Sequence, residues 1–209
     1  MEGDWPRVGS RIFLICRVPF HRFCLFAFLA FSTSAGADLP AGIAAYRSGD
    51  YETALQEFKP LAAKGNADAQ VNLGLLYARG QGVSQDYKAA ATWYRKAAEQ
   101  GQSDAQFNLG SLYYDGLGGL ARDFNKASEW YTKAANAGQI DAQYNLGLMY
   151  VTGQGVPLSM VQAYKWLTIA AALGDAEAEA AKLSAAAKMS REQIDESLTQ
   201  IQAWWAQRK

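Results

Sequence analysis

The heptapeptide Asp-Ala-Gln-x-Asn-Leu-Gly occurs three times, at 68–74, 104–110 and 141–147, and only its fourth letter changes (Val71, Phe107, Tyr144). The glycines are 36 and 37 residues apart. The match continues past them. Tyr77, Tyr113 and Tyr150 lie three residues on, followed by Gly80-x-Gly82, Gly116-x-Gly118 and Gly153-x-Gly155. Trp93, Trp130 and Trp166 each follow an alanine by three (Ala90, Ala127, Ala163) and precede an Ala-Ala pair and a glycine (Gly101, Gly138, Gly174). The extra residue of the second unit falls in its loop, where GLGGLARD replaces GQGVSQD. Self-similarity at this period signals a stacked array of small units, none of which buries its apolar faces alone.

On a helix at 100° per residue, Ala69, Leu73 and Tyr77 share one side of Asp68–Arg79. Asp68, Asn72, Leu75 and Arg79 share the other, with Val71 and Ala78 flanking. Gly74 sits mid-helix, where it costs about 1 kcal/mol relative to alanine. Three such glycines in register predict a helix packed too close for a side chain. A second helix over about 86–100 carries the stripe Ala90, Trp93, Tyr94, Ala97. Each unit is thus a pair of antiparallel helices. With two helices before the repeats and two after, the expectation is about ten. Ser190-Arg191-Glu192-Gln193 reads as a capping box opening the last helix, with Ile194, Leu198, Ile201 and Trp205 as its apolar stripe. In the third unit Lys96 and Lys133 become Ile169, and Gln100 and Ala137 become Leu173, so the final helices should cover that end.

Ahead of the repeats, residues 1–37 carry four arginines, then the apolar run Phe23–Phe31, then Ala35-Gly36-Ala37. That order reads as a cleaved secretory signal; the run falls short of the ~20 apolar residues that span a bilayer. The expectation is an exported, periplasmic or secreted protein cut between Ala37 and Asp38, with no stable membrane insertion thereafter. The alternative is an anchor that stays attached. Both cysteines (Cys16, Cys24) and the single histidine (His21) fall in this segment. The remaining chain offers no disulfide, no thiolate or imidazole ligand for a metal, and no histidine base. No cofactor is implied. Its 16 Lys and Arg against 18 Asp and Glu leave a net charge of −2, which argues against nucleic acid, a partner that calls for a basic face.

The pattern Ala-x-x-x-Leu-Gly-x-x-Tyr, Gly-x-Gly, Ala-x-x-Trp-Tyr-x-Lys-Ala-Ala resembles the Sel1-like repeat, a relative of the tetratricopeptide repeat. It covers three units, 67–102, 103–139 and 140–174. GDYETALQEFKPLA, Gly49 to Ala62, is similar to the second half of a tetratricopeptide unit, so 38–66 reads as a degenerate helix pair whose second helix Pro60 should kink. Residues 175–209 read as a cap. The resemblance implies an all-α, right-handed solenoid of stacked helix pairs that binds a protein or peptide. In the relatives the first helices line a concave groove. The positions that vary on that side (Val71, Phe107, Tyr144; Leu75, Ser111, Leu148; Arg79, Asp115, Thr152) are then candidates for tuning a binding surface, with Tyr114 beside them. Asn72, Asn108 and Asn145 do not vary. Related repeats use such an Asn to hold a peptide backbone, and the alternative is a bond to a neighbouring helix. Asp68, Asp104, Asp141 and Asp115 against Arg79 favour a neutral or basic segment over a terminal carboxylate.

Two other classes of function are open to such a repeat. Some cysteine-bridged relatives are linked to β-lactam hydrolysis, but this chain has no Ser-x-x-Lys. A purely structural scaffold would assemble through its ends, and the polar Gln207-Arg208-Lys209 weighs against that. The expected state is a monomer.

Overall fold

The computed structural model describes residues 37–208; the expected secretory signal lies outside the described residues apart from Ala37. Ten helices and no strand occur among the described residues. They are α1 (Leu39–Ser48), α2 (Tyr51–Ala63), α3 (Ala67–Arg79), α4 (Tyr87–Glu99), α5 (Ser103–Asp115), α6 (Phe124–Asn136), α7 (Ile140–Thr152), α8 (Met160–Ala172), α9 (Ala176–Ala186) and α10 (Arg191–Ala206). Through α9, each helix packs on its neighbours in the chain, giving an all-α solenoid of helix pairs.

The pairs are set by short-range chemistry. Asp50, Asp86, Asp123 and Ser159 cap α2, α4, α6 and α8 by accepting backbone N–H groups of the first turn, which would otherwise have no partner. Asn66, Gln102 and Gln139 do the same for α3, α5 and α7. Within each pair the bare glycine backbone lies against a large side chain. A Cβ on Gly74 would stand 2.6 Å from the Tyr94 ring, on Gly110 2.9 Å from Tyr131, and on Gly147 2.7 Å from Leu167. The degenerate first pair has the same contact, Gly42 against Phe58 at 2.6 Å.

Between units, two further letters of the motif act. Gln70, Gln106 and Gln143 are buried, and each Nε2 donates to a carbonyl eight residues back, in the last turn of the preceding helix (Ala62, Ala98, Ala135; 3.1, 3.2 and 3.1 Å). Each carbonyl also accepts the backbone N–H of the glycine that follows its helix (Gly65, Gly101, Gly138), so the glutamine fills its second lone pair and ties one unit to the next. The second loop glycine sits on the unit before it: a Cβ at Gly82 would meet the Tyr51 carbonyl, at Gly118 that of Tyr87, and at Gly155 that of Phe124. Each carbonyl belongs to the first residue of the preceding unit's second helix.

Several expectations are refined. Helix α2 continues through Pro60 to Ala63; the carbonyl the proline leaves open, that of Gln56, is on an exposed residue that water can reach. In α4 and α6 the fully buried aromatics are Tyr94 and Tyr131, whereas Trp93 and Trp130 are half-buried and pack against the cluster of the preceding unit. The C-terminal stripe is rotated from its expected register. Trp204, at 5% exposure, closes the core and Trp205 is half-buried, while Leu198 is exposed. The reason is where α10 docks. It lies against α8, with Ser197 Oγ donating to the Val161 carbonyl (3.0 Å), Gln162 Nε2 donating to Gln200 Oε1 (2.8 Å), and Trp204 edge-on to Trp166. Its capping box forms as expected. Ile169 is fully buried and Leu173 half-buried, in a cluster with Ala178, Ala181 and Ala185 of α9 and Ile201 and Trp204 of α10.

Alanine is the better helix former by about 1 kcal/mol, yet overpacking a tight contact costs about 1–3 kcal/mol. Gly110→Ala should therefore destabilise the protein in denaturant titrations, and should do so less in a Tyr131→Ala background. Equal penalties in both backgrounds would remove the glycine–aromatic contact as the cause.

Candidate protein-binding surface

Ten of the residues expected to line a surface along α3, α5 and α7 separate into three groups. Phe107, Tyr144 and Leu75 are buried, at 3%, 2% and 7% exposure. Phe107 stacks toward Tyr131 with ring centroids 5.7 Å apart, and Val71 is half-buried against the cluster of α3, α4 and α5. The drifting fourth letter of the heptapeptide is thus a packing position. The helical wheel places it away from the helix's own partner, yet Phe107 reaches the Tyr131 ring of that partner and shares a cluster with residues of the next unit.

A second group is committed to bonds inside the protein. Arg79 Nη1 donates to the Tyr46 hydroxyl (2.5 Å), which donates to Gln81 Oε1 (3.2 Å). The Tyr114 hydroxyl donates to Gln154 Oε1 (2.8 Å), and its ring lies 4.8 Å from that of Phe124. Asn72 Nδ2 donates back to the Asp68 carbonyl (2.8 Å).

The third group is Asn108, Asn145 and Asp115. Asn108 is half-buried and makes no side-chain hydrogen bond with any described residue. Asn145 is 1% exposed. Its amide comes close enough to the Tyr131 hydroxyl to favour the ionised phenol, but Nδ2 reaches no protein acceptor in bonding geometry. The Tyr131 hydroxyl is 3.0 Å from Ser111 Oγ, which also donates to the Phe107 carbonyl (3.1 Å). Burial nonetheless pushes the Tyr131 phenol up, well beyond the usual tyrosine range, with the Asp115 charge contributing. Asp115 ends α5, one turn from Ser111. Its Oδ2 is buried without a hydrogen-bond partner, and burial raises its carboxyl from 3.8 to about 6, against a smaller opposing pull from Arg122. A carboxylate at a helix C-terminus also meets the unfavourable end of the dipole. Ser111, Asp115, Tyr131 and Asn145 thus form one polar seam where α5, α6 and α7 meet.

One member of the seam, Tyr131, was not among the expected surface residues, and Ser111 was expected only as a varying position. Tyr131 reads as core from its stripe, and its ring is core; the hydroxyl at the far end is what reaches the seam. The signal for Ser111 is a polar letter where the other units carry Leu75 and Leu148. In the preceding unit the same register holds Leu75, Arg79 and Tyr94, with Arg79 favouring the ionised Tyr94 phenol that burial disfavours.

The N-terminal ends of α3, α5 and α7 carry a row of acids bridged by the capping glutamines. Gln102 Nε2 lies 3.5 Å from Asp68 Oδ1, and Gln139 Nε2 donates to Asp141 Oδ2 (3.2 Å). Burial raises the Asp104 carboxyl, with the Asp141 and Asp68 charges adding to it and bonds from Gln102 and Gln139 opposing it. Among the described residues no group of His, Cys, Asp and Glu could hold a metal, and no helix is long and apolar enough to cross a membrane.

A family model described as the Sel1 repeat matches residues 67–102, 103–139 and 140–175. The chain belongs to the Sel1 repeat family. Among solved structures, a Sel1 repeat protein from Oxalobacter formigenes is 36% identical with a TM-score of 0.66, over 69% of this chain and 59% of that one. Another is c5321, a protective antigen present in uropathogenic Escherichia coli strains and displaying an SLR fold; it is 26% identical with a TM-score of 0.56, over 78% of this chain and 45% of that one. The chain thus spans well under two thirds of the length of either structure. No curated protein matches. Sel1 repeats generally serve as non-catalytic scaffolds for protein–protein interaction.

The raised carboxyl has a definite sign in stability. Asp115 holds its proton in the folded state at pH values where the unfolded chain has lost it. The stability this adds is fully present below about pH 4 and is lost as pH rises through about 6. The difference in unfolding free energy between wild type and Asp115→Asn should therefore move in favour of the variant between pH 4 and 7. Urea titrations at pH 4.5 and 7.5 measure it, and a pH-independent difference would contradict the burial of Oδ2.

Proposed function

We propose that this Sel1 repeat protein is a non-catalytic, protein-binding scaffold of the cell envelope, which holds an extended segment of its partner along the outward side of α3, α5 and α7. Asn108 carries the reading. It is the middle member of three asparagines one repeat apart, it is reachable from solvent, and its amide is unused within the described protein. An amide there offers both a donor and an acceptor to a passing main chain. The buried aromatics Phe107 and Tyr144 set the spacing of the surface and do not touch the ligand. Tyr114 is half-buried, its hydroxyl on Gln154 and its ring on Phe124.

The envelope assignment rests on residues 1–37 and gains support from the start of the fold. The Asp38 backbone N–H donates to Glu57 Oε2 at 2.7 Å, immediately before α1. Cleavage after Ala37 would replace that N–H by an ammonium on the same carboxylate, a neutral bond becoming an ion pair.

Two measurements test these statements. A random dodecapeptide display library panned on the full chain should yield binders whose NMR footprint falls on α3, α5 and α7, and Asn108→Ala should weaken them roughly tenfold with an unchanged melting temperature. A footprint on α4, α6 or α10 would sink the reading. For the processed N-terminus, Glu57→Gln should cost a chain starting at Asp38 up to about 1 kcal/mol more than it costs a chain that retains Ala37, and N-terminal sequencing of the exported protein should begin at Asp38.

A further inference from the structure

One position in the last turn of each first helix alternates along the array. Four residues after the packing glycine stand Tyr46 in the N-terminal pair, Ala78 in the first unit and Tyr114 in the second. The middle letter of the next unit's Gly-x-Gly alternates with it: Gln81, Leu117, Gln154. The Tyr46 hydroxyl donates to Gln81 Oε1 (3.2 Å), and the Tyr114 hydroxyl donates to Gln154 Oε1 (2.8 Å). Each tyrosine ring also lies against the aromatic that opens the second helix of its own pair, Tyr51 at 5.5 Å and Phe124 at 4.8 Å between centroids. The junction between these two is apolar. Ala78 is buried, and Leu117 packs against the cluster that contains it.

The other contacts that stack the units do not distinguish one unit from another. The glutamine bonds of Gln70, Gln106 and Gln143 are alike, and so are the seats of Gly82, Gly118 and Gly155 on the preceding unit. By those letters alone the third unit fits the first as well as it fits the second, and misassembly is a characteristic failure of repeat chains. The alternating pair does distinguish them. With the second unit looped out, Gln154 would bring its amide to the apolar cluster at Ala78 and lose its donor. With the first unit looped out, Leu117 would meet Tyr46 and offer its hydroxyl no acceptor. A polar group left without its partner costs more than a made bond gains.

We propose that the Tyr–Gln and Ala–Leu pairs key the junctions, fixing the order in which the units stack and excluding arrays slipped by one unit. The device works against the alternative that the sequence itself creates. Three nearly identical units invite a slip, and one position that differs between neighbouring junctions makes either single slip a mismatch.

Two substitutions that break the same native bond separate a key from a simple hydrogen bond. Gln154→Leu gives the third unit the letter that Ala78 accepts, whereas Tyr114→Phe leaves Gln154 mismatched there. The full chain and both variants are refolded by rapid dilution from urea and read by hydrogen-exchange mass spectrometry over α5 and α6, which lose protection when the second unit is looped out. Wild type and Tyr114→Phe should each give one protected population. Gln154→Leu should add an unprotected population, with a slipped fraction about fivefold or more above that of wild type. Leu117→Gln, which gives the second unit the letter that Tyr46 accepts, should do the same to α3 and α4, and it decides the matter if Gln154→Leu fails to fold. A slipped fraction that stays at the wild-type level in these variants would overturn the key. So would an equal rise in Tyr114→Phe and Gln154→Leu, because the slip would then follow from the lost bond and not from the matched letter.

Discussion

The glycine facing a large side chain inside each of the first four helix pairs is the contact on which the other geometry rests. At Gly74, Gly110 and Gly147 the first helix presents bare backbone, and the ring or branch of Tyr94, Tyr131 or Leu167 lies directly on it. The helices therefore sit closer than two ordinary side-chain layers would allow. That closeness lets Tyr131 reach across the pair and bring its hydroxyl to Ser111 on α5. Leu167 occupies the same place in the third unit but carries no hydroxyl. A polar seam built around a tyrosine therefore cannot recur there, and the surface differs from unit to unit although the packing does not.

Much of this was legible in the sequence. The 36–37-residue period fixed the helix pairs, the in-register glycines announced a close approach, and Ser190 with Gln193 announced a cap. The failures share a cause. A helical wheel tests one helix against one partner, and in a stacked array each inner helix has partners on two sides. Phe107 and Tyr144 are buried in one cluster that joins the second and third units, and Phe107 meets the Tyr131 ring as well. The Trp204-Trp205 pair shows the same limitation: either tryptophan could close the core, and the choice depends on the angle at which α10 meets α8. The invariant Gln70, Gln106 and Gln143 were visible as letters, but the role of each is a bond to the end of another helix, which periodicity does not encode.

Asp115 shows how a repeat fold can change the chemistry of one unit without disturbing its frame. The letters that hold units together are the same in all three units, while Arg79, Asp115 and Thr152 succeed one another at a single register. An unfavourable charge in one unit is tolerated because the neighbouring units contribute their own stability and their interfaces. The cost stays local, and so does the chemistry it provides.

The loop glycines of the repeats have a kinetic meaning as well. Gly82, Gly118 and Gly155 each touch the unit immediately before, and the glutamine bonds span eight residues. Almost every link in the array thus closes a short stretch of chain, the condition under which folding is fast and can begin in any unit and spread.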